Sequence, residues 1–241
     1  FDNRSISHPF EPGSVAKIIT AAAVIQEGLT TPDEVLQVPG SIDMAGITVR
    51  DAWEHGVMPY TTAGIFAKSS NVGTLQLVQR LGEERYWDYL NRFGIGQSTG
   101  AELPNESSGL LPVLEQWSGG TFANLPIGQG QAWTTLQMAS VYQALANGGE
   151  RLPPSLLRLS EPPPGIPAIS PSVADDLLDV LETSVGAYSG GRRARVDDEH
   201  LGAVGRRTGV DEVVRQATGF QHAPQGDGVL PILEQERDRG A

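Results

Sequence analysis

Residues 10–29 read FEPGSVAKIITAAAVIQEGL and carry the strongest structural signal in this chain of 241 residues. Pro12 and Gly13 interrupt the backbone, and a run of apolar and small residues follows them. These residues cover almost the whole surface of a helix, which is typical of a helix buried on all sides. The pattern therefore predicts a central helix over residues 14–27, with Gly28 at its end.

Other parts of the chain predict short strands and further helices. Residues 35–50 combine β-branched residues with turn residues, a pattern that favours short strands joined by turns. Residues 97–130 are rich in glycine, proline and serine and predict a loop. Further helical regions are predicted over residues 61–81, 84–93, 134–147 and 170–185. Together these elements predict a mixed α/β (α+β) fold.

Composition excludes several classes of function. The chain carries 17 basic and 29 acidic residues, a net charge of −12, whereas general nucleic-acid binding requires a basic surface. It has no cysteine, so neither disulfides nor thiol catalysis is available. Its histidines show no metal-ligand spacing, and no metal site is expected. They are His8, His55, His200 and His222.

Only two of the 17 basic residues are lysines, Lys17 and Lys68, and the others are arginines. A lysine can lose its proton when its pKa is depressed, whereas an arginine effectively cannot. The two lysines are therefore candidates for a role that needs an amine. For Lys68, a simple bias in residue usage explains its presence equally well.

Ser14 and Lys17 are spaced for nucleophilic chemistry. Residues three apart share one face of a helix, so the two side chains are expected to meet at the start of the central helix. Burial would lower the pKa of Lys17, and a neutral amine could then take the proton of the Ser14 hydroxyl. The alternative is a capped, buried helix whose lysine reaches out to water.

A second polar element, Ser69-Ser70-Asn71, follows Lys68 directly. The Ser69 hydroxyl could pass a proton between an amine and a leaving group, and the Asn71 amide could hold a substrate amide. The alternative is a helix cap, a position that serine and asparagine favour. Together with S-x-x-K about fifty residues earlier, the S-x-N element is a far more specific signal than either motif alone.

Six segments, taken in this order, resemble the transpeptidase domain of class B penicillin-binding proteins, and the actinobacterial cell-division type in particular. They are FEPGSVAK, AKSSNVGT, RFGIGQSTG, ELPNESSG, EQWSGGTFANLPIGQG and TLQMASVYQALANGG, and the resemblance covers about residues 5–195. It implies the penicillin-binding and serine β-lactamase-like fold. It also implies a D,D-transpeptidase that cross-links peptidoglycan stem peptides, is acylated by β-lactams and needs no cofactor.

The resemblance also implies a location and partners. Such enzymes act on the extracytoplasmic face of the cell membrane, where cell-division membrane proteins are expected partners. The anchor is expected to lie in a segment outside this sequence.

Carried over residue by residue, the resemblance assigns four catalytic roles. Ser14 resembles the acyl-accepting nucleophile, with its backbone N–H as half of the oxyanion hole, and Lys17 resembles the general base. Ser69 resembles the proton-relay serine and Asn71 the ligand of the substrate amide. The Gly128-Gln129-Gly130 element is given a structural role.

The C-terminal part of the chain departs from the family pattern. The family's third motif is K-T-G, whose cation and hydroxyl receive the substrate carboxylate. The nearest candidate is Arg207-Thr208-Gly209, and arginine can bind a carboxylate with two hydrogen bonds but is not equivalent to lysine. We expect residues 1–195 to form a partial transpeptidase-like domain with an incomplete central sheet, and residues 196–241 to be a divergent, weakly ordered segment. A truncated or frame-disrupted C-terminus is one hypothesis for this departure.

Two alternatives to the transpeptidase remain open at this point. One is an inactive relative that serves as a binding or scaffold protein, which the departure at Arg207 favours. The other is a serine β-lactamase or β-lactam sensor. A lactamase needs a base for deacylation, and Glu106 in ELPNESSG is the formal candidate.

Overall fold

The predicted central helix exists, and the other helices are arranged around it. The structure is a computed structural model that describes residues 3–188. Its helices are α1 (Arg4–Ser7), α2 (Lys17–Gln26), α3 (Thr62–Ala67), α4 (Asn71–Leu81), α5 (Glu83–Arg92), α6 (Gly119–Asn124), α7 (Thr135–Ala146) and α8 (Pro171–Tyr188). Short 3-10 helices cover Gly13–Ala16, Leu114–Gln116 and Leu125–Ile127. The strands are β1 (Val35–Val38), β2 (Ser41–Met44), β3 (Ile47–Arg50), β4 (Met58–Thr61), β5 (Glu150–Arg151) and β6 (Ile166–Pro167).

Burial on every face makes α2 the centre of the core. Nine of its ten residues are buried, and the three consecutive alanines Ala21–Ala23 expose no surface. Side chains this small let α4, α5 and α8 approach the helix closely. The first residue of α2 is Lys17, so the apolar packing of the helix carries an amine into the interior.

The strands of the described region pair in three separate two-stranded antiparallel sheets. β1 pairs with β4, β2 with β3, and β5 with β6. The β2–β3 hairpin turns through Ala45 and Gly46, both with positive φ, as a two-residue hairpin loop of type I′ requires. The strands predicted over residues 35–50 are confirmed, and the mixed helix-and-strand class is confirmed with them. The hairpin positions the end of β3 beside α4.

Two of the predicted elements differ from those observed. The helical region predicted over residues 61–81 is divided into α3 and α4 by a turn at residues 68–70. The loop predicted over residues 97–130 contains α6, so that prediction is wrong. The first two residues of α6 are glycines, whose low helix propensity gives no indication of a helix in the sequence. A capping box at Ser118 and the burial of Phe122 and Ala123 stabilise it.

The predicted boundary at residue 195 and the predicted character of residues 196–241 lie outside the described residues. The helix predicted to begin at Ser170-Pro171 is α8, and Pro171 is its first residue, where a missing N–H is not needed. Within residues 3–188, none of the helices combines the length and the apolar character needed to cross a membrane.

Gly128 fixes the turn that precedes α2. Its φ of +84° lies in the left-handed region, and its carbonyl accepts a hydrogen bond from the N–H of Gly13 at 3.1 Å. A Cβ at Gly128 would overlap the backbone carbonyl of Gly13. Only glycine allows the two backbones to come this close. The first residue of the Gly128-Gln129-Gly130 element therefore has the structural role that was predicted for the element.

Gly128→Ala should lower the free energy of unfolding by about 2 kcal/mol or more. The left-handed backbone alone costs a non-glycine residue roughly 1–2 kcal/mol, and displacement of Gly13 adds to that cost. Gly28→Ala is the matched control, because Gly28 has a φ of +65° but open space around its Cβ position. Urea unfolding of both variants measures the difference. Equal losses in the two variants would show that the Gly13 contact contributes nothing.

Candidate active site

Ser14 lies on a 3-10 helix, Gly13–Ala16, that continues directly into α2. In a 3-10 helix the residues i and i+3 are aligned one above the other, so Ser14 lies one turn before Lys17 and on the same side. The backbone supports this spacing, because the N–H of Lys17 donates to the carbonyl of Ser14. Ser14 is exposed, whereas Lys17 is only 3% exposed. The pair therefore combines an exposed hydroxyl on Ser14 with a buried amine on Lys17.

The amine of Lys17 is held by Ser69 from across the core. Its Nζ donates to the backbone carbonyl of Ser69 at 2.6 Å and to Ser69 Oγ at 3.0 Å. Burial lowers the pKa of Lys17 from its ordinary 10.5 to about 8, and the negative charge of Asp51 opposes part of this shift. The expected depression of the lysine pKa is thereby confirmed. Among residues 3–188, no hydrogen bond joins Ser14 Oγ to Lys17 Nζ, so the hydroxyl and the amine share a side of the helix without the expected side-chain contact.

Ser69 follows the last residues of α3, at the position after a helix end that glycine occupies most often. The N–H of Ser70 donates to the carbonyl of Ile65 at 2.9 Å, and the N–H of Ser69 donates to the carbonyl of Phe66 at 3.0 Å. This is the Schellman arrangement at the end of α3, with Ser69 as its left-handed residue at a φ of +57°. The left-handed conformation of a serine is unfavourable, and it places a hydroxyl and a carbonyl against Lys17 where glycine would supply only the carbonyl.

Ser70 and Asn71 begin the next helix. Ser70 Oγ accepts a hydrogen bond from the N–H of Gly73 at 2.9 Å and caps α4. The alternative interpretation of the motif as a helix cap is thus correct for Ser70 but not for Ser69. Asn71 is the first residue of α4, and its Nδ2 donates to the carbonyl of Arg50 at 2.9 Å. The structure therefore brings Ser69 to Lys17, one helical turn from Ser14, and Asn71 follows Ser69 by two residues at the start of α4.

Two residues near this site were not identified from the sequence. Asp51 follows β3 directly, and its carboxylate accepts hydrogen bonds from Ser70 Oγ and from the N–H groups of Asn71 and Val72. His55 donates to the same carboxylate through Nε2 at 3.0 Å. The D-x-x-x-H spacing of Asp51 and His55 was the available signal. An aspartate and a histidine four residues apart are also common as a surface pair, and only the packing of β3 against α4 shows that this pair is buried.

The remaining candidate residues lie elsewhere. Arg207, Thr208 and Gly209 lie outside the described residues, so their predicted role is a prediction still. Lys68 is exposed at the end of α3. Within residues 3–188, no group of three or more histidine, aspartate or glutamate side chains is arranged to hold a metal ion.

Glu106 is bound into its own loop. Its carboxylate accepts hydrogen bonds from the Ser98 hydroxyl at 2.5 Å, the Thr99 N–H at 2.7 Å and the Thr99 hydroxyl at 2.5 Å. Burial raises the pKa of Glu106, but these hydrogen bonds outweigh burial and leave the pKa below its ordinary value. A carboxylate stabilised in this way is a weak base, which disfavours the deacylating role considered for a lactamase.

Comparison with known families supports the resemblance seen in the motifs. A family model described as penicillin binding protein transpeptidase domain matches residues 1–223. The chain is 52% identical over 233 residues to penicillin-binding protein PbpB of Mycolicibacterium smegmatis, covering 90% of this chain and 36% of that protein. It is 31% identical over 195 residues to peptidoglycan D,D-transpeptidase FtsI of Escherichia coli K12, covering 80% of this chain and 32% of that protein. The chain thus spans about a third of the length of the curated relatives it matches.

Solved structures agree with the sequence relatives. Penicillin binding protein 3 from Mycobacterium tuberculosis, in a crystal structure described as complexed with aztreonam, aligns with a TM-score of 0.74 at 56% identity. The alignment covers 76% of this chain and 43% of that one. The same protein described as complexed with ampicillin aligns with the same TM-score and identity.

Ser69→Gly should give a more stable protein than Ser69→Ala by about 1 kcal/mol. Both variants lose the hydroxyl that contacts Lys17, but only glycine adopts the left-handed φ of Ser69 without strain. Thermal unfolding of the two variants measures the difference. Ser7→Gly and Ser7→Ala form the matched control pair, because Ser7 is the last residue of α1 and does not have a positive φ. There the alanine variant should be the more stable one. An alanine variant at position 69 as stable as the glycine variant would contradict the strained conformation of Ser69.

Proposed function

This chain belongs to the penicillin-binding protein transpeptidase family, and we propose that it is a peptidoglycan D,D-transpeptidase whose nucleophile is Ser14. The observation that carries the proposal is the burial of Lys17 with its Nζ at 2.6 Å from the carbonyl and 3.0 Å from the hydroxyl of Ser69. A protein that only bound a peptide would gain nothing from an amine with a depressed pKa in this position.

The lowered pKa of Lys17 determines how much base is available. With a pKa of about 8, roughly one Lys17 in ten is neutral at neutral pH, whereas with the ordinary 10.5 only a few in ten thousand would be. Burial therefore increases the neutral fraction by a factor of about 300. A neutral amine has one lone pair and two N–H groups, and the two oxygens of Ser69 accept those N–H groups.

The proposed first step forms an acyl-enzyme. Ser14 Oγ attacks the carbonyl carbon of a stem peptide while its proton moves to the Lys17 lone pair, and the peptide C–N bond breaks. The proton is returned through the Ser69 hydroxyl to the nitrogen of the leaving amine. The N–H groups at the start of a helix have no partner within it, and the N–H of Ser14 is the proposed donor to the oxyanion.

The second step transfers the acyl group. The amine of a second stem peptide attacks the acyl carbonyl and gives up one proton to the neutral Lys17. The bond to Ser14 Oγ breaks, and that proton passes from Lys17 to the Ser14 oxygen. With a β-lactam, the lactam C–N bond breaks but the amine stays attached to the acyl group. The tethered amine blocks the acceptor, and the acyl-enzyme persists.

Substrate recognition is assigned to residues at both ends of the site. Asn71 is proposed to hold a substrate amide, and the carbonyl of Arg50 at the end of β3 orients it by accepting a hydrogen bond from Nδ2. Arg207, Thr208 and Gly209 are proposed to receive the substrate carboxylate. Because peptidoglycan lies outside the cytoplasmic membrane, the site must act on the extracytoplasmic side. A membrane anchor and cell-division partners are predictions that rest on the resemblance alone.

The first test is covalent labelling. The purified chain, incubated with a fluorescent penicillin, should gain one stable label on Ser14, with a mass increase equal to that of the whole penicillin because nothing leaves. Ser14→Ala should gain none, and Ser5→Ala, an exposed serine on α1, should be labelled like the unchanged protein. Mass spectrometry of proteolytic peptides locates the adduct.

Two outcomes would contradict the proposal. A chain shown by circular dichroism to be folded but not labelled would support the inactive, binding-only relative. Rapid release of hydrolysed penicillin from Ser14 would support a lactamase.

A second test is the pH dependence of acylation. The rate should rise with pH and level off above about 8, since the neutral fraction of Lys17 grows as the pH passes its lowered pKa. Lys17→Arg keeps the positive charge but cannot supply a base, and it should lower the rate by about 10²–10⁴-fold. Lys68→Arg is the matched control and should retain the profile. A rate independent of pH between about 6 and 9 would exclude Lys17 as the base.

A further inference from the structure

Asp51 has a buried carboxylate that accepts three hydrogen bonds from residues at the start of α4. Its side chain has no exposed surface. Oδ1 accepts from the N–H of Asn71 at 2.6 Å and from the N–H of Val72 at 3.0 Å, and Oδ2 accepts from Ser70 Oγ at 2.8 Å. Its own N–H donates to the carbonyl of Gly40 at 3.3 Å, which fixes its backbone beside the β2–β3 hairpin.

These contacts tie the hairpin to the start of α4. The first N–H groups of a helix have no partner within it, and Asp51 satisfies two of them while Ser70 Oγ satisfies that of Gly73. A carboxylate at a helix N-terminus also interacts favourably with the helix dipole. The turn that holds Ser69 against Lys17 is therefore anchored on its far side by Asp51.

His55 completes the set of donors to Asp51. Its Nε2 lies 3.0 Å from Asp51 Oδ2 and its Nδ1 lies 2.7 Å from the carbonyl of Gly56. The contact with the Asp51 carboxylate needs a proton on Nε2, because an ionised carboxylate only accepts hydrogen bonds. The ring is stacked on Trp53, with 5.5 Å between centroids, and its side chain is 6% exposed. The ring thus lies directly against the buried carboxylate.

We propose that Asp51 and His55 are positioning residues for acylation at Ser14, with Asp51 holding the Ser69–Asn71 turn against Lys17 and placing a negative charge near the amine. The inference rests on the proposed function for its consequence in catalysis, but not for the effect of Asp51 on Lys17. Neither residue touches the reacting atoms, and both act through the turn and through the amine.

The charges around Lys17 come from several elements. The negative charge of Asp51 raises the pKa of Lys17 against the larger effect of burial. His55 lies on the far side of Asp51, with the edge of Tyr60 on β4 facing the histidine ring. On the other side, the Tyr142 hydroxyl of α7 donates to the carbonyl of Val15. Removal of the Asp51 charge should therefore lower the pKa of Lys17.

The experiment measures the pKa of Lys17 directly. The chain has two lysines, so labelling lysine with ¹³C at Cε gives two side-chain signals, and Lys17→Arg assigns them. Asp51→Asn should shift the titration midpoint of Lys17 down by roughly 0.5–1.5 pH units, the size of one charge interaction at intermediate dielectric. Asp51→Glu keeps the charge and should shift it less. Asp33→Asn, an exposed carboxylate, is the matched control and should leave it unchanged.

Acylation by a fluorescent penicillin supplies the second readout. Asp51→Asn should lower the limiting rate by about 10–100-fold, since small displacements of a positioned group have effects of this size. The acid limb of its pH profile should move to lower pH together with the Lys17 midpoint. A residue with only a structural role would lower the rate without moving the limb.

The outcomes separate the two proposals. A Lys17 midpoint unchanged in Asp51→Asn overturns the further inference, whether or not the protein is acylated. A shifted midpoint in a protein that no penicillin acylates supports the effect of Asp51 on Lys17 and overturns the proposed function. If Asp51→Asn does not fold, His55→Gln decides, because it alters the contact that holds the Asp51 carboxylate: a shifted Lys17 midpoint supports the inference, and an unchanged one overturns it.

Discussion

An amine cannot be buried without acceptors for its protons, and the arrangement of Lys17 follows from this constraint. The apolar packing of α2 carries Lys17 into the interior, where an unpaired ammonium group would be strongly destabilising. The carbonyl and hydroxyl of Ser69 provide the acceptors. The turn between α3 and α4 must therefore keep its left-handed serine, and the start of α4 must be held where that turn requires it.

Packing and chemistry make opposite demands at this turn. Glycine would adopt the φ of +57° at position 69 with less strain than serine. At position 17, an apolar residue of similar length would fill the start of α2 without the cost of burying a charge. With its pKa lowered to about 8, folded Lys17 binds fewer protons than the unfolded chain between about pH 8 and 10.5. Its contribution to stability is thus at its worst below pH 8 and improves as the pH rises through that window. Residues that weaken the fold but arrange an amine and two hydroxyl groups are typical of functional sites.

The sequence predicted those parts of the molecule that depend on local pattern. The central helix and the strands of residues 35–50 follow from periodicity and turn residues, whereas the pairing of Ser69 with Lys17 was implied by the resemblance of the motifs to a known family. The turn at residues 68–70 did not, because Ser69 adopts a conformation that serine rarely takes, and the lysine contact that supports it comes from 52 positions away. The helix α6 was hidden for a similar reason, since Phe122 and Ala123 gain their burial only from the core. Asp51 was missed because its four donors are contributed by α4 and His55 and come together only after β3 packs.

Asp51 shows why charge and geometry cannot be separated in this site. Its carboxylate is needed as an acceptor at the start of α4, but the same negative charge favours the protonated form of Lys17, which is the form that cannot act as a base. Burial of the lysine works in the opposite direction and is the larger effect. His55 donates to the same carboxylate from outside α4 and helps to hold it at the start of that helix. The Asp51–His55 pair thus holds the turn in place close to Lys17, while burial keeps the pKa of this lysine low.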